Sequence, residues 1–158
     1  MSLFFDDFQI GAESELGSHV FTKEGIIAFA ILYDPQPFHL SDEGAKKSIY
    51  GSLIASGWHT ASICMRLIVD HRVRQRAEAA ARGEALPKTG VSPGVRALRW
   101  PVAVRPGDRI TYLSRIESLT ETKRPEWGLV TSRMSGVNQN GAEVFSGLGG
   151  VLWERLKA

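Results

Sequence analysis

Cysteine is almost absent: Cys64 is the only one in 158 residues. An intramolecular disulfide is therefore excluded, and the chain suits a reducing compartment. Long hydrophobic runs are missing too. No stretch approaches the roughly 20 apolar residues that cross a bilayer, and no basic segment precedes an apolar run at the start. Charge of one sign is not in excess. The net charge is +2 and the arginines are spread along the chain, so there is no nucleic-acid footprint. The four histidines show no metal-ligand spacing. Gly147, Gly149 and Gly150 are followed by no helix and so do not form a phosphate loop. The expected location is the cytoplasm, with no nucleic-acid or membrane partner.

What is present is an ordinary globular composition, 43% hydrophobic and 23% charged. Residues 1–158 are expected to form a single domain. The stretch that organises the rest is Asp34-Pro35-Gln36-Pro37-Phe38-His39. Each proline lacks an N–H and drives its predecessor, Asp34 or Gln36, out of helical backbone. The apolar segment 23–33, capped by Thr22 and with Glu24 in its first turn, should therefore stop at Asp34. Ile26, Ile27, Phe29, Ala30 and Tyr33 supply its expected buried side. A stiff, extended loop should follow, holding one carboxylate and one imidazole in fixed positions.

Ser41 can cap a short helix over 42–47. Residues 57–82 read as a long helix, apolar on nearly every side in its first half and charged in its second. Asp70 with Arg74, and Glu78 with Arg82, are spaced to pair on it. Residues 83–94 read as a loop and as the most mobile internal segment. The remainder is strand-like over 95–104, 109–119, 127–137 and 143–153, with turns at Pro106-Gly107 and Asn140-Gly141. A helix too apolar for a surface needs a sheet to cover it. The pattern is α+β, a curled antiparallel sheet wrapped around a long central helix.

Three segments carry a resemblance. Leu32-Tyr33-Asp34-Pro35-Gln36-Pro37-Phe38-His39-Leu40 resembles the hydratase signature of the MaoC-like dehydratase family, whose fold is the hot-dog. Leu53-Ile54-Ala55-Ser56-Gly57-Trp58 resembles the family's segment at the start of the hot-dog helix. Leu98-Arg99-Trp100-Pro101 through Val104-Arg105-Pro106-Gly107-Asp108 resembles the strand and turn after it. Tyr33, Gln36 and Ser56 depart from the usual Gly, Asn and His, and Ser41 stands where many members have an acid.

The resemblance implies an (R)-specific enoyl-CoA hydratase, a hydro-lyase that reversibly hydrates a 2-enoyl thioester of coenzyme A or of an acyl carrier protein. No metal or redox cofactor is implied. Asp34 would be the base that activates water and His39 the acid. The Gly57 N–H would hold the thioester oxygen. Tyr33, Gln36, Ser56 and Trp58 would line the substrate. From the residues alone, Asp34 can equally be a turn acid, His39 a buried histidine on a backbone carbonyl, and Gly57 a packing glycine. A thioesterase on the same fold, or a non-catalytic acyl-thioester-binding subunit, are the alternatives. His59 reads as a structural histidine, Cys64 as a small core hydrophobe, and Arg66 and Arg72 as candidate contacts for a carrier's phosphates. Family members usually pair sheets edge to edge, so a two-fold homodimer is expected, with 148–153 as the unprotected edge.

Overall fold

Residues 4–156 are described by the structure, a computed structural model. Helix α1 (Lys23–Tyr33) starts where the Gly25 N–H donates to Thr22 Oγ1 at 3.1 Å. It stops at Asp34, ahead of Pro35. Tyr33, expected on its buried side, is 70% exposed. The stiff loop expected to run from Asp34 to His39 is only half realised. Asp34 to Gln36 is non-helical, but Pro37 opens a single turn, α2 (Pro37–Leu40), that carries His39. Proline at a first helical position sacrifices no hydrogen bond, so the second proline starts a helix rather than preventing one. Helix α3 (Asp42–Lys46) follows, with the Gly44 N–H donating to Ser41 Oγ at 3.0 Å. It lies so close to α2 that a Cβ on Gly44 would sit 2.5 Å from the Pro37 carbonyl oxygen.

Helix α4 (Gly57–Ala81) runs along the concave face of one antiparallel sheet. The strands are β1 (Glu13–Val20), β2 (Val95–Arg99), β3 (Arg109–Glu121), β4 (Trp127–Val137) and β5 (Glu143–Glu154). Their order is β1-β3-β4-β5-β2, the hot-dog arrangement. Two turns read from the sequence hold it in register. In the β4–β5 hairpin Gly141 takes φ +79°, and Asn138 Oδ1 accepts the N–H groups of Asn140 and Ala142. Before β3, Gly107 takes φ +92° and donates its N–H to the Phe21 carbonyl at 2.8 Å. Cys64 and Ile68 of α4 join Leu16, Ile110, Met134 and Phe145 of the sheet in the main core. The Tyr112 hydroxyl donates to the Thr60 carbonyl at 3.0 Å and ties the first turns of α4 to β3.

Several expectations change. The first half of α4 is not buried all round: Trp58, Met65 and Val69 are about half exposed, as is Val73 beyond them. A sheet covers only one side of a helix; Trp58, Val69 and Val73 lie away from it, and Met65 at its margin. Asp70 pairs with Arg66 rather than Arg74, Nε to Oδ2 2.9 Å, while Arg74 reaches the Leu16 carbonyl. Arg82 pairs with Glu84, just past the helix. Residues 87–91, inside the expected loop, are tied to β5. Gly90 donates its N–H to the Leu152 carbonyl, Glu154 donates to that of Lys88, and Pro87 is fully buried. For the same reason β5 is not a free edge, since β2 and residues 88–91 cover it. The sheet ends at β1 and β2. Among the described residues no helix is long and apolar enough to cross a membrane.

The tight α2–α3 contact is testable. Gly44→Ala places its methyl against backbone that cannot rotate away, and the expected cost is about 1–3 kcal/mol in urea unfolding. A variant as stable as the parent would contradict that contact.

Candidate active site

Ser56 caps α4, and its Oγ does two things at once. It accepts the Trp58 N–H at 3.2 Å and donates its own proton to Asp34 Oδ2 at 2.6 Å. The other carboxylate oxygen, Oδ1, accepts from Gln36 Nε2 at 2.8 Å. His39 is 5% exposed, and its Nε2 stands 3.4 Å from Asp34 Oδ2. Its other ring nitrogen, Nδ1, lies 2.8 Å from the Ile54 carbonyl oxygen. A carbonyl can only accept, so Nδ1 carries a proton and Nε2 is the nitrogen that faces Asp34. Two residues separated by two prolines thus meet as an acid–imidazole pair, fixed from the far side by 54–56.

The electrostatics favour an ionised carboxylate. Burial pushes the Asp34 pKa up, but the hydrogen bonds from Ser56 and Gln36, with the charge of His39, outweigh it and leave the pKa below the ordinary aspartate value. The carboxylate is also linked through Ser56 to the positive end of a 25-residue helix.

The other expected site residues divide. Ser56 and Gln36 both touch Asp34. Gly57 is the first residue of α4, where N–H groups lack helical partners, and the cap bond goes to Trp58 instead. The indole of Trp100 lies across Gly57, so close that a Cβ there would be 2.7 Å from the ring. Only glycine fits beneath it. Trp58 is 57% exposed and packs edge-to-face against the same indole, centroids 5.4 Å apart. Tyr33 turns its ring to Phe29, centroids 4.9 Å apart, and is largely exposed. Cys64 is buried, and burial pushes its thiol up to about 12, far from a nucleophile's range. Two contributors escaped the sequence reading. The Ile54 carbonyl is a backbone group without a residue-type signal, and Trp100 was visible only as a member of the Leu98-Arg99-Trp100-Pro101 segment.

With this geometry in place, the profile of the MaoC like domain matches residues 7–135. The chain belongs to the MaoC-like family. A MaoC-like dehydratase from Rhodospirillum rubrum, known as a crystal structure, is 34% identical, with 99% of this chain and 100% of that one covered and a TM-score of 0.81. The uncharacterized protein YdeM of Bacillus subtilis (strain 168) is 29% identical over 150 residues, 95% of this chain and 98% of its own. An (R)-hydratase from A. caviae involved in PHA biosynthesis shares the fold at 22% identity, covering 96% and 98% of the two chains with a TM-score of 0.67.

One further histidine of this MaoC-like chain bears on stability. His59 is 7% exposed, stacks flat on Phe29 at 4.6 Å, and its Nδ1 has no hydrogen-bond partner. Burial, and then the nearby His19, push its pKa down to about 4. The unfolded chain, with an ordinary histidine near pH 6.5, binds the extra proton first. Stability is therefore fully present above pH 6.5 and falls as the pH drops toward 4, by about 3 kcal/mol if His59 alone acts. Urea midpoints measured across that window should fall in the parent and stay flatter in His59→Leu; parallel curves would contradict this.

Proposed function

We propose that the Asp34–His39 pair reversibly hydrates the double bond of a 2-enoyl thioester carried by coenzyme A or an acyl carrier protein. The observation that carries this reading is the Asp34 carboxylate standing 3.4 Å from Nε2 of a buried imidazole. In the hydration direction, Asp34 takes a proton from water as the oxygen bonds to the β-carbon. Protonated His39 delivers a proton from Nε2 to the α-carbon. Asp34 then holds one proton more and His39 one fewer. Their separation allows the proton to return, directly or through a water, and reset the pair. Each transfer is typically worth on the order of a hundred- to ten-thousand-fold in rate.

Between these steps the thioester oxygen carries enolate charge. The Gly57 N–H, at the start of α4, is the donor assigned to it, and such a donor is typically worth about 3–4 kcal/mol. The Trp100 ring across Gly57 restricts the direction from which an acyl group approaches. Gln36 and Ser56 hold the carboxylate rather than the substrate. The chemistry asks for no metal or redox cofactor. A thioesterase would use Asp34 alone, since hydrolysis delivers no proton to carbon, and would leave the positioned His39 without a task. Loss of enoyl absorbance and thiol release, followed on a panel of thioesters, separate the two. Asp34→Asn and His39→Ala should each lower hydration by about 10²–10⁴-fold with the near-ultraviolet dichroism unchanged. Near-normal turnover in both would overturn the mechanism.

The working form is a two-fold homodimer in a cytoplasmic setting, each copy holding its own Asp34 and His39. Its support is the uncovered side of α4. Val69 and Val73 recur there at helical spacing with Met65 at the margin, and half-exposed Val95 lies on the terminal strand β2. Light scattering at micromolar concentration should give twice the chain mass, and Val69→Glu should halve it. A fully active monomer would contradict the assembly.

A further inference from the structure

Between the middle of α4 and the sheet lies a cavity of about 340 Å³, lined by none of Asp34, His39, Ser56 and Gly57. Its walls are mostly apolar: Met65 and Ile68 of α4 share it with Ile116, Val130, Met134 and Trp153 of the sheet. One strong cation stands among them. Arg72 lines the cavity with its guanidinium carbon 5.6 Å above the Trp153 ring. Burial alone lowers its pKa, and no carboxylate offsets that effect. The one acid among the lining residues, Asp7, is engaged by the Phe4 N–H at 2.8 Å. Hydroxyls of Ser14 and Ser114, register partners on β1 and β3, and of Ser132 add hydrogen-bond donors to the same walls.

A guanidinium partly stripped of water, with no ion pair among the described residues, is costly, and an anion in the cavity would relieve that cost. Its planar fork matches a carboxylate better than a point charge does. The apolar walls exclude small hydrated anions and favour a hydrocarbon body, and the volume is that of a small-ligand site.

We infer that this cavity binds an apolar chain ending in a carboxylate, with Arg72 as its counter-ion. Two molecules present that chemistry. One is a free medium-chain acid. The other is the far end of a long acyl group whose thioester sits at Gly57, since Arg72 is about 22 Å further along the helix axis and a chain of about 16 carbons spans most of that distance. Arginine side chains lean back toward the helix N-terminus, which shortens the remaining reach. The second source rests on the hydratase reading, and the first does not.

Trp153 fluorescence, with calorimetry beside it, reads both on the intact protein without turnover. Decanoate is compared with decanol, and hexadecanedioyl-CoA with palmitoyl-CoA, in the parent and in Arg72→Met. Decanoate binding at least tenfold tighter than decanol supports the site, with the free acid as its ligand. Hexadecanedioyl-CoA binding at least tenfold tighter than palmitoyl-CoA supports it with the acyl end as the ligand. In either case Arg72→Met should abolish the preference. Equal binding of charged and uncharged partners in both pairs would overturn the inference, and that comparison needs only the parent protein. Because no probe is an enoyl thioester, a failure here leaves the hydratase reading to its own assay.

Discussion

The hydrogen bond from Ser56 to Asp34 is the interaction on which the site depends. At 2.6 Å it joins the start of α4 to the carboxylate that ends α1. Ser56 belongs to a short buried strip, Leu53 to Ser56, that is bonded to α2 on one side and to the β2–β3 connection on the other. Ile54 donates its N–H to Phe38 and accepts from His39 Nδ1, while Ala55 donates to Val104. Backbone groups buried without partners are expensive, so each of these bonds also fixes a position. The strip thereby sets the tautomer of His39, the orientation of Asp34 and the first residue of the helix together.

That dependence explains which parts of the site were legible in the sequence. Local chemistry was: Thr22 and Ser41 read as caps, Asp34 as a helix end, and Gly107 and Gly141 as turn glycines, because each obeys rules that act within four residues. The α+β architecture followed from a long helix that needed a covering sheet. What the sequence hid were groups without a side-chain signature or with a partner far along the chain. The Ile54 carbonyl and the Trp100 indole over Gly57 are of that kind. So are residues 87–91, inside the expected loop yet tied down through Leu152 and Glu154. Tyr33 and Trp58 misled for a simpler reason. Apolar character does not say which side of a helix the sheet will cover.

Ser56 and Gln36, two of the three departures from the family's usual signature, make the contacts that keep Asp34 ionised. Seen physically they substitute one set of donors for another around the same carboxylate. Tyr33, the third, lies outside the cluster. Asp34 and His39 thus meet as one acid–imidazole pair, with Trp100 above Gly57 and the Arg72 cavity further along α4.

The most direct measurement is isotopic. A saturated 3-hydroxyacyl thioester incubated with the protein in deuterium oxide passes through the enoyl form and back if Asp34 and His39 work as a pair. The account predicts one deuterium at the α-carbon with the thioester intact, and none with His39→Ala. Thiol released without deuterium at the α-carbon, or an unlabelled and unchanged substrate, would contradict it.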